Sequence, residues 1–158
     1  MRYSMIFAKV AALLLLFALC ISAPHARAQN QTPANAPFVG WTDPDTGLTW
    51  TKSDNGTDVD WNQANAYCSN LRLGGYTDWR LPTIDELQGI YDPSIDIPGK
   101  WSTGEADTWH VKGNLRFFGA LWSSNQTEPM LALRFIFSNR VRQVDNINDN
   151  GRALCVRR

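Results

Sequence analysis

Apolar and polar positions follow two different periods along the chain, and the period changes at punctuated points. In FVGWTDPDTGLTWTK two short apolar runs flank Pro44-Asp45-Thr46-Gly47. Pro44 presets φ and Gly47 admits a positive φ, so the segment predicts two strands around a tight turn. The turn also accounts for the acids Asp43 and Asp45. Residues 53–60, SDNGTDVD, are polar and read as a loop. From Trp61 the spacing becomes helical, with Trp61, Ala64, Tyr67, Cys68 and Leu71 on one face. Asp60 stands at the N-cap with Gln63 as its capping-box partner, and Gly74-Gly75 close the helix.

TDWRLPTIDEL, residues 77–87, concentrates charge and an indole just ahead of a second helix. Pro82 biases Leu81 away from helix. Thr83 with Glu86 three residues on forms a second capping box, and Ile84, Leu87 and Tyr91 make the apolar side. Residues 92–118 are broken by Pro and Gly, and predict long loops with one short strand.

The last third is strand-like. ALWSS (120–124) is one candidate. MLALRFIF (130–137) is nearly continuous in apolar residues, as a strand covered on both faces would be. Ser138-Asn139 predicts a two-residue turn, RVRQV returns, DNINDNG (145–151) is a polar loop, and RALCVRR closes the chain as a final strand. Two early helices with strands before and after predict an α+β architecture.

Composition and targeting change the picture at the N-terminus. Residues 1–28 read as a secretory signal: Arg2 and Lys9, an apolar run from Val10 to Ile21, then Ala26-Arg27-Ala28. A lipoprotein reading through Cys20 meets bulky Leu19 where a small residue is expected, and an uncleaved anchor is the other alternative. Residues 29–37, QNQTPANAP, read as a disordered linker, and 38–158 as one domain. Loss of the leader removes three of the 15 basic residues and no acid, which leaves 12 against 15 acidic residues and a net charge of −3. That balance offers no general attraction to nucleic acid or anionic membranes, so any anion site must be a local patch. After cleavage no stable membrane span is expected.

Three cysteines become two, Cys68 and Cys155. An even pair in an exported chain favours a disulfide, with two buried free thiols as the alternative. Two distant cysteines are too few for a metal site, and the only histidines are His25, in the leader, and His110.

Five motifs in order carry a resemblance. They are Asp45-Thr46-Gly47-Leu48-x-Trp50; Trp61-x-x-Ala64-x-x-Tyr67-Cys68; Asp78-Trp79-Arg80-Leu81-Pro82-Thr83-x-x-Glu86-Leu87; Trp122-Ser123-Ser124; and Ala153-Leu154-Cys155-Val156-Arg157. Over about residues 40–158 the chain resembles the Lcl C-terminal domain family, named for a bacterial collagen-like adhesin. The resemblance implies a C-type-lectin-like fold, shared with formylglycine-generating enzymes. That fold has a mixed, largely antiparallel sheet, two helices, a long loop region, and a Cys68–Cys155 staple between first helix and last strand. It also implies binding of sulfated glycosaminoglycans. The calcium motifs of sugar-binding lectins are missing: Glu128-Pro129-Met130 lacks the ligand-bearing third residue, and no Trp-Asn-Asp occurs. The oxidase relatives need cysteines beyond the staple.

Each candidate site has a plain structural reading beside the functional one. Arg80 could bind an anion and Trp79 stack on a ligand, but their place between two capped helices favours a structural corner. Arg140 and Arg142 share one face of the predicted hairpin, and Arg134 joins them if the register allows. Guanidinium forks suit sulfate and carboxylate; ordinary pairing with Asp145, Asp149 and Glu128 is the alternative. Arg152, Arg157 and Arg158 add charge at the end. DNINDNG offers oxygen ligands to calcium, but turn chemistry explains the same residues and its spacing is not that of an EF-hand. Of seven tryptophans, Trp50, Trp61 and Trp122 sit in apolar patterns and are expected in the core, whereas Trp101 and Trp109 fall in the loops, where an exposed indole suits a sugar ring. His110 has no neighbouring nucleophile pattern, and no phosphate loop is present. The reading is an exported, non-catalytic module, without cofactor, that binds glycans or other anionic ligands. A protein-interaction or assembly module is the alternative, and an enzyme a third.

Overall fold

The computed structural model describes residues 40–158. The predicted leader and linker lie outside the described residues, together with Phe38 and Val39 of the predicted domain. Among the described residues no helix is long and apolar enough to cross a membrane.

The chain runs β1 (Gly40–Thr42), β2 (Thr49–Thr51), α1 (Trp61–Asn70), α2 (Ile84–Gly89), β3 (Ile97–Lys100), β4 (Ala106–Trp109), β5 (Leu121–Glu128), β6 (Leu131–Ile136), β7 (Val141–Asn146) and β8 (Val156–Arg157). The architecture is α+β, as the element order predicts. The strands divide into three antiparallel sheets, β1-β2-β8, β3-β4 and β5-β6-β7. Isolated bridges such as Arg80 to Val156 and Leu121 to Arg152 tie the sheets and the corner together.

The β1–β2 turn closes by local chemistry. Asp43 is buried, and its carboxylate accepts from the Thr46 hydroxyl at 2.6 Å while Gly47 takes φ +70°. Both predicted capping boxes form: Asp60 with Gln63 on α1, and Thr83 with Glu86 on α2. Helix α1 ends at Asn70, four residues before Gly74-Gly75. Those glycines instead turn the chain between Leu73 and Tyr76, both at positive φ. Tyr67, expected on the buried face of α1, is 39% exposed, because Ala64 and Cys68 alone make its fully buried contact.

The β5-β6-β7 sheet separates two apolar clusters. Leu121 and Phe135 pair on one face and join Leu87, Trp109, Phe117 and Trp50. Trp122 and Ala132 turn to the other face and join Trp79, Leu81 and Cys68. Strand β6 is thus covered on both sides, as its nearly continuous apolar run predicts. Full burial of one such large side chain is worth roughly 1.5–3 kcal/mol. Cys68 and Cys155 form a disulfide, with Cα atoms 5.4 Å apart and 87 residues of separation. A closed loop of that length constrains the unfolded chain by on the order of 4 kcal/mol.

The 92–118 region differs from expectation. It holds a two-stranded hairpin, β3–β4, with a Trp101–Glu105 connection. Pro98 and Gly99 hid the first strand. Pro is tolerated at an edge, and Gly99 is required there: a Cβ would stand 2.4 Å from the Trp109 indole.

Candidate functional site

The 77–87 corner is structural in its contacts. Trp79 is buried, and its indole N–H donates to the Leu73 carbonyl at 3.2 Å. Arg80 reaches Glu86 with both Nη atoms, at 2.8 and 2.6 Å, and not Asp78. Asp78 pairs with Arg157 at 2.8 Å. Burial pushes the Glu86 carboxyl up, but hydrogen bonds from Arg80 and the Thr83 amide outweigh it and hold the group below its ordinary range. The carbonyl of Pro82 accepts from the Ser124 amide at 2.7 Å, which ties the corner to β5. Trp50 and Trp122 are fully buried; Trp61 is half-buried and donates to the Ser123 carbonyl at 2.8 Å.

The hairpin arginines do not form one patch. Arg134 pairs with Gln143 in register, and Phe135 with Arg142, so Arg134 and Arg142 project from opposite faces. Arg140 lies outside the strands, in a four-residue connection at φ +60°, because Phe137 leaves the ladder to enter the core. Arg142 reaches Gln88 and Asp85 of α2 at 2.7 and 2.6 Å, and Arg140 lies over Tyr91. Arg134 is held on the far face by Asp145 at 2.6 Å, by the Asn150 carbonyl, and by the Trp122 ring beneath it.

The two loop tryptophans also part. Trp109 is 1% exposed and belongs to the core, so the expectation of a surface indole there is corrected. Trp101 stands edge-on against it, with centroids 5.4 Å apart, and remains half-buried at the surface. The Trp101 indole N–H donates to Asp107 at 2.9 Å. The Thr108 amide, foremost, and then the Trp101 indole outweigh desolvation and hold the Asp107 carboxyl below its ordinary range.

Trp101 and Arg134 do meet. Both line a cleft of about 180 Å³, with Asp58, Gln143 and Arg152. Arg152 is only 11% exposed and is clamped by Asp58 at 2.7 Å, with Asp54 4.0 Å from its Nη1. That Nη1 is buried and has no hydrogen-bond acceptor among the described residues. The cleft therefore offers an indole, two fixed guanidinium groups, an amide and a carboxylate.

A larger groove of about 650 Å³ adjoins it. One wall is β3, and the other is residues 114–118. In that second wall Leu115 and Phe117 turn inward, while Arg116 and Phe118 face out, Phe118 being 42% exposed. The Gly119 amide donates to the Lys100 carbonyl at 2.9 Å, where the groove and the cleft meet.

The DNINDNG oxygens are engaged internally. Asp145 holds Arg134 and Gln143, Asp149 accepts from the Asn146 amide at 3.1 Å, and Asn146 from the Asn148 amide at 3.0 Å. Among the described residues no three acid, His or Cys side chains converge as a metal site. His110 Nδ1 lies 3.0 Å from Asp96 and 3.2 Å from the Ile95 carbonyl.

The family model of the Lcl C-terminal domain matches residues 40–157, which is the whole of this framework but its last residue. The chain belongs to the Lcl C-terminal domain family. Comparison with individual curated proteins returns no match. Lcl C-terminal domains are extracellular and adhesin-like, and the disulfide of this one fits an exported chain.

In this Lcl C-terminal domain the family motifs build the framework, and the cleft and groove described above lie elsewhere. Lys100, Arg116, Phe118, Asp58 and Gln143 carry no sequence signal that sets them apart.

Proposed function

We propose that the protein is an exported, non-catalytic binding module that recognises a glycan or another anionic extracytoplasmic ligand. The observation that carries this reading is the cleft that Trp101, Arg134 and Arg152 line together. Sugar hydroxyls need donors and acceptors side by side, and the cleft has both in Arg134, Arg152, Gln143 and Asp58. An indole beside them suits the apolar face of a sugar ring. The non-catalytic part is supported by the disulfide, which leaves neither domain cysteine as a free thiol, and by Glu86, which Arg80 and its capping role engage.

The test is a glycan array with the mature protein, run with and without EDTA and at low and high salt. The expected result is binding that EDTA leaves unchanged and Trp101→Ala abolishes. Arg140→Ala combined with Arg142→Ala should leave it intact. No binding to any glycan or acidic polymer would sink the reading and favour an assembly role.

A further inference from the structure

We infer that the larger groove is a second subsite, built for an acidic sugar residue next to the unit in the Trp101 cleft. This rests on the binding function proposed above and adds a location and a chemistry to it.

Six of the twelve Lys and Arg residues in the described domain are spent on acids: Arg80, Lys112, Arg134, Arg142, Arg152 and Arg157. Lys100 and Arg116 have no acidic partner among the described residues, and both line this groove from opposite walls. The one acid lining it, Asp54, is already satisfied. Its carboxylate accepts from the Gly56 and Phe118 amides at 2.9 and 3.0 Å and faces Arg152 at 4.0 Å. A domain whose overall balance is negative thus carries a local cationic pair here.

Shape and surface agree. A volume of about 650 Å³ falls within the range of ligand clefts. Leu115 and Phe117 supply an apolar floor, and Phe118 an exposed ring. That combination fits a flat ring with anionic substituents, the ring on the apolar surface and the anions on Lys100 and Arg116. Continuity comes from the Lys100–Gly119 backbone bond and from Arg152, whose guanidinium lies 5.6 Å over the Phe118 ring. One oligosaccharide could therefore run from cleft to groove.

The experiment compares sulfated, carboxylated and neutral oligosaccharides of matched length against the wild type and against Lys100→Gln/Arg116→Gln. Wild type should prefer the acidic ligands, and salt should weaken that preference by screening. The variant should lose about tenfold or more in affinity for them, because charge-assisted hydrogen bonds are involved. Its affinity for the neutral ligand should fall far less, and its near-ultraviolet circular dichroism and its melting temperature should stay unchanged. The sulfated and carboxylated arms identify which anion the groove prefers. If wild type binds but the variant keeps full affinity for acidic ligands, the subsite is wrong and the binding function stands. If wild type prefers the neutral ligand, the subsite is likewise wrong. If wild type binds none of them, both fall.

Discussion

Trp101 stands edge-on to Trp109 with ring centroids 5.4 Å apart, and the pair spans the boundary between the candidate cleft and the core. Their substitutions should therefore separate. Trp109→Ala empties a fully packed site and should cost about 3–5 kcal/mol. Trp101→Ala should abolish ligand binding with a far smaller loss. Chemical denaturation and a binding assay on both variants check this.

Gly99 gives an independent test of the hairpin. Its Cβ position falls 2.4 Å from the Trp109 indole, which the core holds in place. Gly99→Ala should destabilise by about 1–3 kcal/mol or more through overpacking. Gly104→Ala has open space around it but sits at φ +91°, so any loss there comes from backbone strain alone. Urea midpoints of the two variants measure the difference.

Arg134 and Arg142 are neighbours in the hairpin with opposite energetic roles. The Arg134–Asp145 pair is mostly buried, at 14% and 12% side-chain exposure. Arg134→Ala strands Asp145 and should cost on the order of 3 kcal/mol. The Arg142–Asp85 pair is exposed, and Arg142→Ala should cost less than about 1 kcal/mol. Thermal melts of both decide the point.

Acid should weaken the corner in a defined direction. Glu86 is held below its ordinary value of 4.5. A carboxyl lowered by folding contributes stability that is complete above its unfolded value and is lost as pH falls through the folded one. Melting temperature should thus decline below about pH 4.5. Glu86→Gln should lower stability at pH 7 and make the decline shallower. A Glu86→Gln protein with the wild-type pH profile would contradict this.

The disulfide gives the fifth test. Replacing Cys68 and Cys155 by Ala should cost about 2–5 kcal/mol. Reduction of the wild type should lower its denaturation midpoint by a similar energy. Agreement between the two isolates the cross-link from the packing of the side chains.

Local signals in the sequence determined much of this protein. The Asp60–Gln63 and Thr83–Glu86 boxes, the Pro44–Gly47 turn, the doubly covered β6 and the Cys68–Cys155 pair all follow from residues close in sequence or from cysteine arithmetic. Five ordered motifs were enough to identify the family. Capping and turn chemistry act over three or four residues, so a single sequence displays them. The candidate site is different in kind. Whether an arginine is free or spent depends on which acid the fold brings beside it. Arg142 meets Asp85 across 57 residues, and Arg152 meets Asp58 across 94. Whether an indole is a floor or a surface depends on what packs over it, and Trp109 was buried by the hairpin that Pro98 and Gly99 had concealed. Tertiary structure alone decided that Lys100 and Arg116 line one groove without an acidic partner among the described residues, because long-range pairing, unlike capping, leaves no local periodicity to read.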